Sequence, residues 1–93
     1  SLAKAYAGDG ILVNAIAPGA IATTALDAVL QDQAIHDEMI SRTPLKRLGV
    51  ETDIAAGAVY LASPASSYVT GRVLEIDGGQ EASNLELGIP DLA

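Results

Sequence analysis

The 93-residue chain predicts an α/β fold: two parallel strands, joined by a helical crossover, taken from a larger doubly wound sheet. Three observations carry that reading. Residues 11–17 form a continuous apolar run with one Asn, rich in β-branched residues and flanked by Gly10 and Pro18-Gly19. A run of this kind fits a strand buried on both faces, the mark of a parallel sheet covered by helices. A second short strand-like stretch, residues 72–76 with Val73, Leu74 and Ile76 apolar, lies far along the chain, and the stretch between them has helical rather than alternating pattern. Parallel strands need such a long crossover, whereas antiparallel ones can be joined by a tight turn.

Taken in order, residues 1–7 read as the last turns of a helix, with Leu2, Ala3 and Tyr6 at helical spacing and a stop at Gly8 and Gly10. Ser1 offers no start signal upstream of itself, so either the beginning lies before Ser1 or the chain opens in mid-element. The strand over 11–17 ends at Pro18-Gly19, which forces the backbone away. Thr24-Ala-Leu-Asp27 has the form of a capping box and predicts a short helix carrying Leu26, Val29 and Leu30. Asp32 caps a second one that buries Ile35, Met39 and Ile40, and Thr43-Pro44 ends it. A third helix over 51–62 has an acidic first turn and a broad face of Ile54, Ala55, Ala58, Val59, Leu61 and Ala62. Its alanines and Gly57 suit close packing on a sheet. The second strand ends at Asp77-Gly78-Gly79, and residues 80–93 form a leucine-spaced tail with no firm assignment.

Composition narrows the function. Five Lys+Arg against twelve Asp+Glu leave a net charge of −7, with no cysteine and 49% hydrophobic residues. That acidity argues against nucleic-acid and anionic-membrane partners, which need a basic face. The missing thiols exclude disulfide scaffolds, Cys-ligated metal and thiol catalysis, and fit a cytoplasmic protein. No apolar run reaches the ~20 residues of a membrane span. Two parallel strands alone are not a stable object, because each unpaired buried backbone group costs roughly 1–3 kcal/mol against a domain's ~5–15. The expectation is therefore a larger sheet extending N-terminal to Ser1. A small protein completed by dimerisation is the alternative.

In open parallel sheets ligands bind outside the carboxyl ends of the strands. That places the candidate site at Pro18, Gly19, Ala20, Ile21 and Thr23. Gly19 allows close approach to the backbone, Pro18 fixes direction, and the main chain of Ala20 or Ile21 with the Thr23 hydroxyl could serve a flat amide or a phosphate. A simple turn is the plainer account of Pro-Gly on these grounds.

Gly10-Ile-Leu-Val-Asn14-Ala-Ile-Ala-Pro18-Gly19-Ala-Ile21-Ala-Thr23, Thr43-Pro-Leu-Lys-Arg47-Leu-Gly49, Asp53-Ile-Ala, Tyr60-Leu-Ala-Ser63 and Thr70-Gly71…Asp77-Gly-Gly79 follow one another in this order. In this the chain, from Ser1 to about Gly79, resembles the C-terminal part of the short-chain dehydrogenase/reductase family. The resemblance implies a Rossmann-like domain of which residues 1–93 are the C-terminal segment. Residues 11–23 become the penultimate strand and nicotinamide loop, 24–43 the substrate lid, and 51–79 the last helix and strand, followed by the 80–93 tail. It implies NAD or NADP as cofactor, with Pro18 and Gly19 shaping the loop, Ile21 bonding the nicotinamide carboxamide through its backbone, and Thr23 adding a hydroxyl near the carboxamide or pyrophosphate. It further implies an alcohol or ketone substrate, and a homotetramer with contacts on 51–62 and 72–76. The family's phosphate loop, catalytic Ser and Tyr-x-x-x-Lys precede the start of this chain, so none of these residues is catalytic and no metal site is expected. Leu12 and Glu51 depart from the family pattern at positions peripheral to the cofactor. The implied function is that of a fragment of an oxidoreductase, inactive alone. A non-catalytic family member and a self-standing interaction module are the alternatives.

The remaining polar residues have plainer readings. His36 belongs on a solvated helix face. Asn14 needs a structural hydrogen bond to a neighbouring loop. Asp77 caps the turn it forms with Gly78 and Gly79, and Lys46-Arg47 complements a helix end more simply than it meets a phosphate.

Overall fold

The structure, a computed structural model, describes residues 1–80. The tail expected over 80–93 thus lies, beyond Gln80, outside the described residues. Helix α1, Leu2–Ala7, opens with the Ser1 hydroxyl accepting the Lys4 N–H at 3.3 Å, so Ser1 itself supplies a start signal. Ala3 is its buried residue, set against Gly71, while Leu2 and Tyr6 face outward.

Strand β1, Ala15–Pro18, pairs in parallel with β2, Val73–Ile76, in the register Ala15↔Val73 to Pro18↔Ile76. The crossover topology is as expected, but β1 begins later than the apolar run does. The reason lies in the segment leading into β2. Ahead of β2 the backbone is still turning at Gly71, where φ is +72°, and cannot offer a regular ladder. Two side chains and one main-chain bond bridge the gap instead. Asn14 donates to the Val69 carbonyl at 3.0 Å and accepts the Arg72 N–H at 3.1 Å, the structural role expected of it. The Val13 N–H goes to the Thr70 hydroxyl at 3.1 Å, and the Gly71 N–H to the Val13 carbonyl at 2.8 Å. The ladder then starts with Ala15 N–H on the Arg72 carbonyl. Pro18 closes β1 with its nitrogen turned from β2, so its missing donor breaks no bond there; Gly19 donates to Ile76 at 2.9 Å instead.

Two-sided burial of β1 is not seen among the described residues. Ile16 and Ala17 are half-buried and Ala15 and Pro18 exposed, because one helix, α4, is the element laid on the strand pair. Helix α4, Glu51–Leu61, stops one residue short of the expected end. Its packing face is narrower than the predicted alanine-rich one: Ile54, Gly57 and Leu61 are partly covered, and Val59 is 67% exposed. Gly57 makes the close contact, since a Cβ there would run into Ile76 Cδ1 and come within 3.5 Å of Leu74 Cδ2. Ser63 ends the segment by accepting the Ala65 N–H of the 3₁₀ turn Pro64–Ser66.

Between β1 and α4 lie a 3₁₀ turn, Thr24–Leu26, then α2, Asp27–Leu30, and α3, Gln33–Ser41. The Thr24–Asp27 capping box does not form. Thr23 is the extended residue (φ −112°, ψ 164°), so Thr24 already lies inside the turn, closed by Leu26 N–H on the Thr23 carbonyl. Asp32 caps α3 as predicted, taking the Ala34 and Ile35 N–H groups. Met39 and Ile40 are half-buried, but Ile35, expected inside, is 42% exposed.

Candidate functional site

The chain leaving β1 does not wander off the sheet. Gly19 lies so close to the start of the Asp77 turn that a Cβ would sit 2.6 Å from Asp77 Cβ and 2.7 Å from its Cα, which makes the absent side chain a condition of the path. The segment then forms a single parallel bridge, Ile21 with Gly49. Gly49 N–H donates to the Ala20 carbonyl at 3.0 Å, and Ala22 N–H donates to the Gly49 carbonyl at 2.8 Å. In such a bridge the central residue turns its own N–H and C=O the other way. Neither main-chain group of Ile21 has a hydrogen-bond partner among the described residues.

Pro18, Gly19, Ile21 and Thr23 come together along one cleft of about 580 Å³. Ala20 does not join them. Its carbonyl is committed to Gly49, and the residue faces a smaller cavity of about 130 Å³ and a third of about 380 Å³ on the Asp77 side. The far wall of the main cleft was not legible from sequence: Leu26, and Glu51, Ile54 and Ala55 from the first turns of α4. The signal was weak because helical periodicity gives a face without saying which end of the helix meets the loop.

Arg47 departs from its expected role at a helix end. It forks onto Asp53, Nη1 to Oδ2 at 2.9 Å and Nη2 to Oδ1 at 3.4 Å. Asp53 Oδ2 also accepts the Val50 N–H at 2.8 Å, so this carboxylate caps α4. The hydrogen bond from Arg47, then that from Val50, hold the Asp53 carboxyl below the ordinary carboxylate range. Lys46 does serve a helix end, donating to the Ser41 carbonyl of α3 at 3.0 Å. Asp77 accepts the Gly79 N–H at 2.9 Å and caps its turn as expected. His36 is half-buried rather than fully solvated, with Nδ1 3.8 Å from Asp37. Among the described residues no three His, Cys, Asp or Glu side chains gather as metal ligands, and no helix is long and apolar enough to cross a membrane.

A parallel strand pair, a helical crossover and an extended glycine loop whose Ile21 main chain has no partner among the described residues, at the strands' carboxyl ends, are the features of a nucleotide-binding type of α/β protein. Comparison makes this specific. The sequence model of the family described as enoyl-(acyl carrier protein) reductase matches residues 1–81, and the chain belongs to the short-chain dehydrogenase/reductase oxidoreductases. An uncharacterised oxidoreductase of Mycobacterium tuberculosis is 56% identical over 82 residues, covering 88% of this chain and 31% of that protein. The L-tagatose-forming galactitol 2-dehydrogenase of Cereibacter sphaeroides is 44% identical over 79 residues, 85% of this chain and 31% of its own length. Among solved structures, a candidate 2-deoxy-D-gluconate 3-dehydrogenase of Agrobacterium tumefaciens, with bound NADP, superposes with a TM-score of 0.83 at 45% identity, over 88% of this chain and 33% of that one. The chain therefore spans about a third of the length of the relatives it matches.

Proposed function

We propose that this chain is the C-terminal segment of an NAD(P)-dependent oxidoreductase, contributing its nicotinamide loop and substrate lid. The observation that carries the reading is the main chain of Ile21. A nicotinamide carboxamide needs one donor and one acceptor in a plane, and among the described residues the Ile21–Gly49 bridge leaves one of each unpaired on a single residue. Pro18 and Gly19 bring the loop to that position, and the Thr23 hydroxyl stands at the same cleft to bond the carboxamide or pyrophosphate. Ala20 acts through its carbonyl by holding the bridge.

When bound, the dinucleotide supplies a hydride acceptor or donor for a hydroxyl/carbonyl carbon. The role of this chain is to orient it. Residues 24–43 cover an alcohol or ketone substrate, with half-buried Met39 and Ile40 on the lid. The acid/base residues belong to the remainder of the domain, N-terminal to Ser1, and the segment alone is inactive. The cofactor is NAD or NADP in this reading. The working protein is a cytoplasmic homotetramer in this reading, and exposed Val59 on α4 and Val73 on β2 supply apolar surface for its contacts.

The test is Thr23→Ala in the complete protein, titrated with NADH and NADPH by nicotinamide fluorescence. One lost hydrogen bond worth ~1–1.5 kcal/mol raises the Kd about tenfold. An unchanged Kd removes Thr23 from the site. A complete protein that binds neither dinucleotide overturns the assignment as a whole.

A further inference from the structure

The bridge that leaves the Ile21 main-chain groups without a partner among the described residues consists of two hydrogen bonds, both to Gly49. Two bonds are weak by themselves, even with Ile21 buried and Ala20 and Gly49 half-buried, so something must hold Gly49 in place. The structure puts a charged fork around it. Arg47 lies two residues before Gly49, and its Nη1 donates both to the Leu48 carbonyl at 3.1 Å and to Asp53 Oδ2 at 2.9 Å. Asp53 in turn holds Val50, the residue after Gly49, through the Val50 N–H at 2.8 Å and its own N–H on the Val50 carbonyl at 2.9 Å. Both neighbours of Gly49 are thus fastened to one ion pair. A Cβ built on Gly49 would meet Ile21 Cδ1 at 2.5 Å, Asp53 Oδ2 at 3.6 Å and the Ala20 carbonyl at 3.7 Å, so loop, carboxylate and glycine converge at one point.

We propose that Arg47 and Asp53 are positioning residues for dinucleotide binding: their fork holds Gly49, and Gly49 aims the Ile21 main chain. The proposal rests on the reading of Ile21 given above. The pair itself lies outside the main cleft. It lines the smaller cavity with Ala20, Ile21 and Gly49, on the Asp77 side. A bidentate fork matters here because it fixes distance and angle together, which a lysine's point charge cannot do.

The experiment uses the complete protein and the variants Asp53→Asn and Arg47→Lys. Asp53→Asn keeps an acceptor for Val50 but removes the charge and half the fork. Arg47→Lys keeps the charge and folds with least disturbance. Each is titrated with NADH or NADPH, whichever the wild type binds tighter, and with ADP-ribose, which lacks the nicotinamide. The expected result is a dinucleotide Kd raised about tenfold in Asp53→Asn, the scale of one lost hydrogen bond, a smaller rise in Arg47→Lys, and unchanged ADP-ribose binding. Hydrogen exchange at the Ala22 and Gly49 amides, measured without cofactor, is expected to speed up in both variants. Equal losses for both ligands would mark a general structural role and overturn the proposal, as would unchanged Kd values. Wild-type protein that binds neither ligand but loses amide protection in Asp53→Asn overturns the cofactor reading and leaves the fork as the holder of Gly49. Unchanged exchange overturns the fork.

Discussion

The strand pair with α4 and the segment 24–43 are built on different principles. In the first, bonds join residues far apart in sequence: Asn14 to Val69 and Arg72, Val13 to Thr70, Gly19 to Ile76. In the second they are local. Asp32 caps its own helix, Glu38 pairs with Arg42 one turn on, and Gln33 bonds Asp37. The helices α2 and α3 pack on each other and, among the described residues, on no strand. Their downstream end is tied to the sheet's turn, where Thr43 is 3% exposed and Leu45 N–H bonds the Gly78 carbonyl at 3.1 Å. A scaffold fixed by long-range bonds tolerates little. A segment fixed by local ones can change its side chains while its lower end stays docked, and on the proposed reading of 24–43 as the lid substrate choice can vary there without disturbing the loop at 18–23.

The sharpest way to break the scaffold side of that contrast is Gly19→Ala in the complete protein. The added methyl meets Asp77 at main-chain distance, and no flexible side-chain end can give way. Overpacking of this kind costs about 1–3 kcal/mol, and because the strain falls on the loop itself, dinucleotide affinity is expected to fall roughly ten- to a hundredfold. Fluorescence titration checks it, and wild-type affinity would show that the loop bends freely at Gly19.

The second comparison sets Asn14→Leu against Asp32→Ala. Removing the Asn14 amide strands the part-buried Val69 carbonyl where the two strands meet, at about 1–3 kcal/mol, and leaves the exposed Arg72 N–H to water. Removing the Asp32 cap costs ~1 kcal/mol and frays α3 alone. Denaturant unfolding is expected to register Asn14→Leu clearly and Asp32→Ala weakly. Substrate KM is expected to move for Asp32→Ala while the dinucleotide Kd does not. Equal effects of the two substitutions on stability and on cofactor binding would erase the distinction between scaffold and lid.

The same contrast explains what sequence reading could and could not reach. Local signals were legible: Asp32 as a cap, Thr43-Pro44 as a stop, Glu51 as the start of α4, Asp77 as a turn former. Each depends on residues within a few positions of one another. Signals that depend on a distant partner were not. The apolar run 11–17 gave the strand but not its first paired residue, since that is set by Gly71 on the other strand. Thr24-x-x-Asp27 had the right residues for a capping box, but Thr23 is the residue held extended by the loop before it. Of the candidate site, Pro18, Gly19, Ile21 and Thr23 were named and share a cleft. The walls from α4 were missed because they come from helix packing, and the partner of Arg47 because the chain doubles back at Lys46, where φ is +59°.

The smallest expected effect concerns pH. Asp53 titrates below the ordinary carboxylate range because its charged form accepts from Arg47 and from Val50 N–H. A group whose folded pKa is depressed stabilises fully above its unfolded pKa, ~3.9 for Asp, and that contribution disappears as the pH falls through the lower folded value. Arg47 shifts upward, so its share is present at every pH below its unfolded value and is lost only in strong alkali. The bridge to Gly49 should therefore be indifferent to pH from 5 to 8 and loosen only below about pH 4. The pair is solvent-exposed, so salt should weaken it as well. Amide exchange at Ala22 and Gly49, corrected for the intrinsic pH dependence, reads this directly. Protection that drops below pH 4 in the wild type but is already low and flat in Asp53→Asn follows from the fork. Identical profiles in the two proteins would assign the low-pH loss to other carboxylates of this acidic chain.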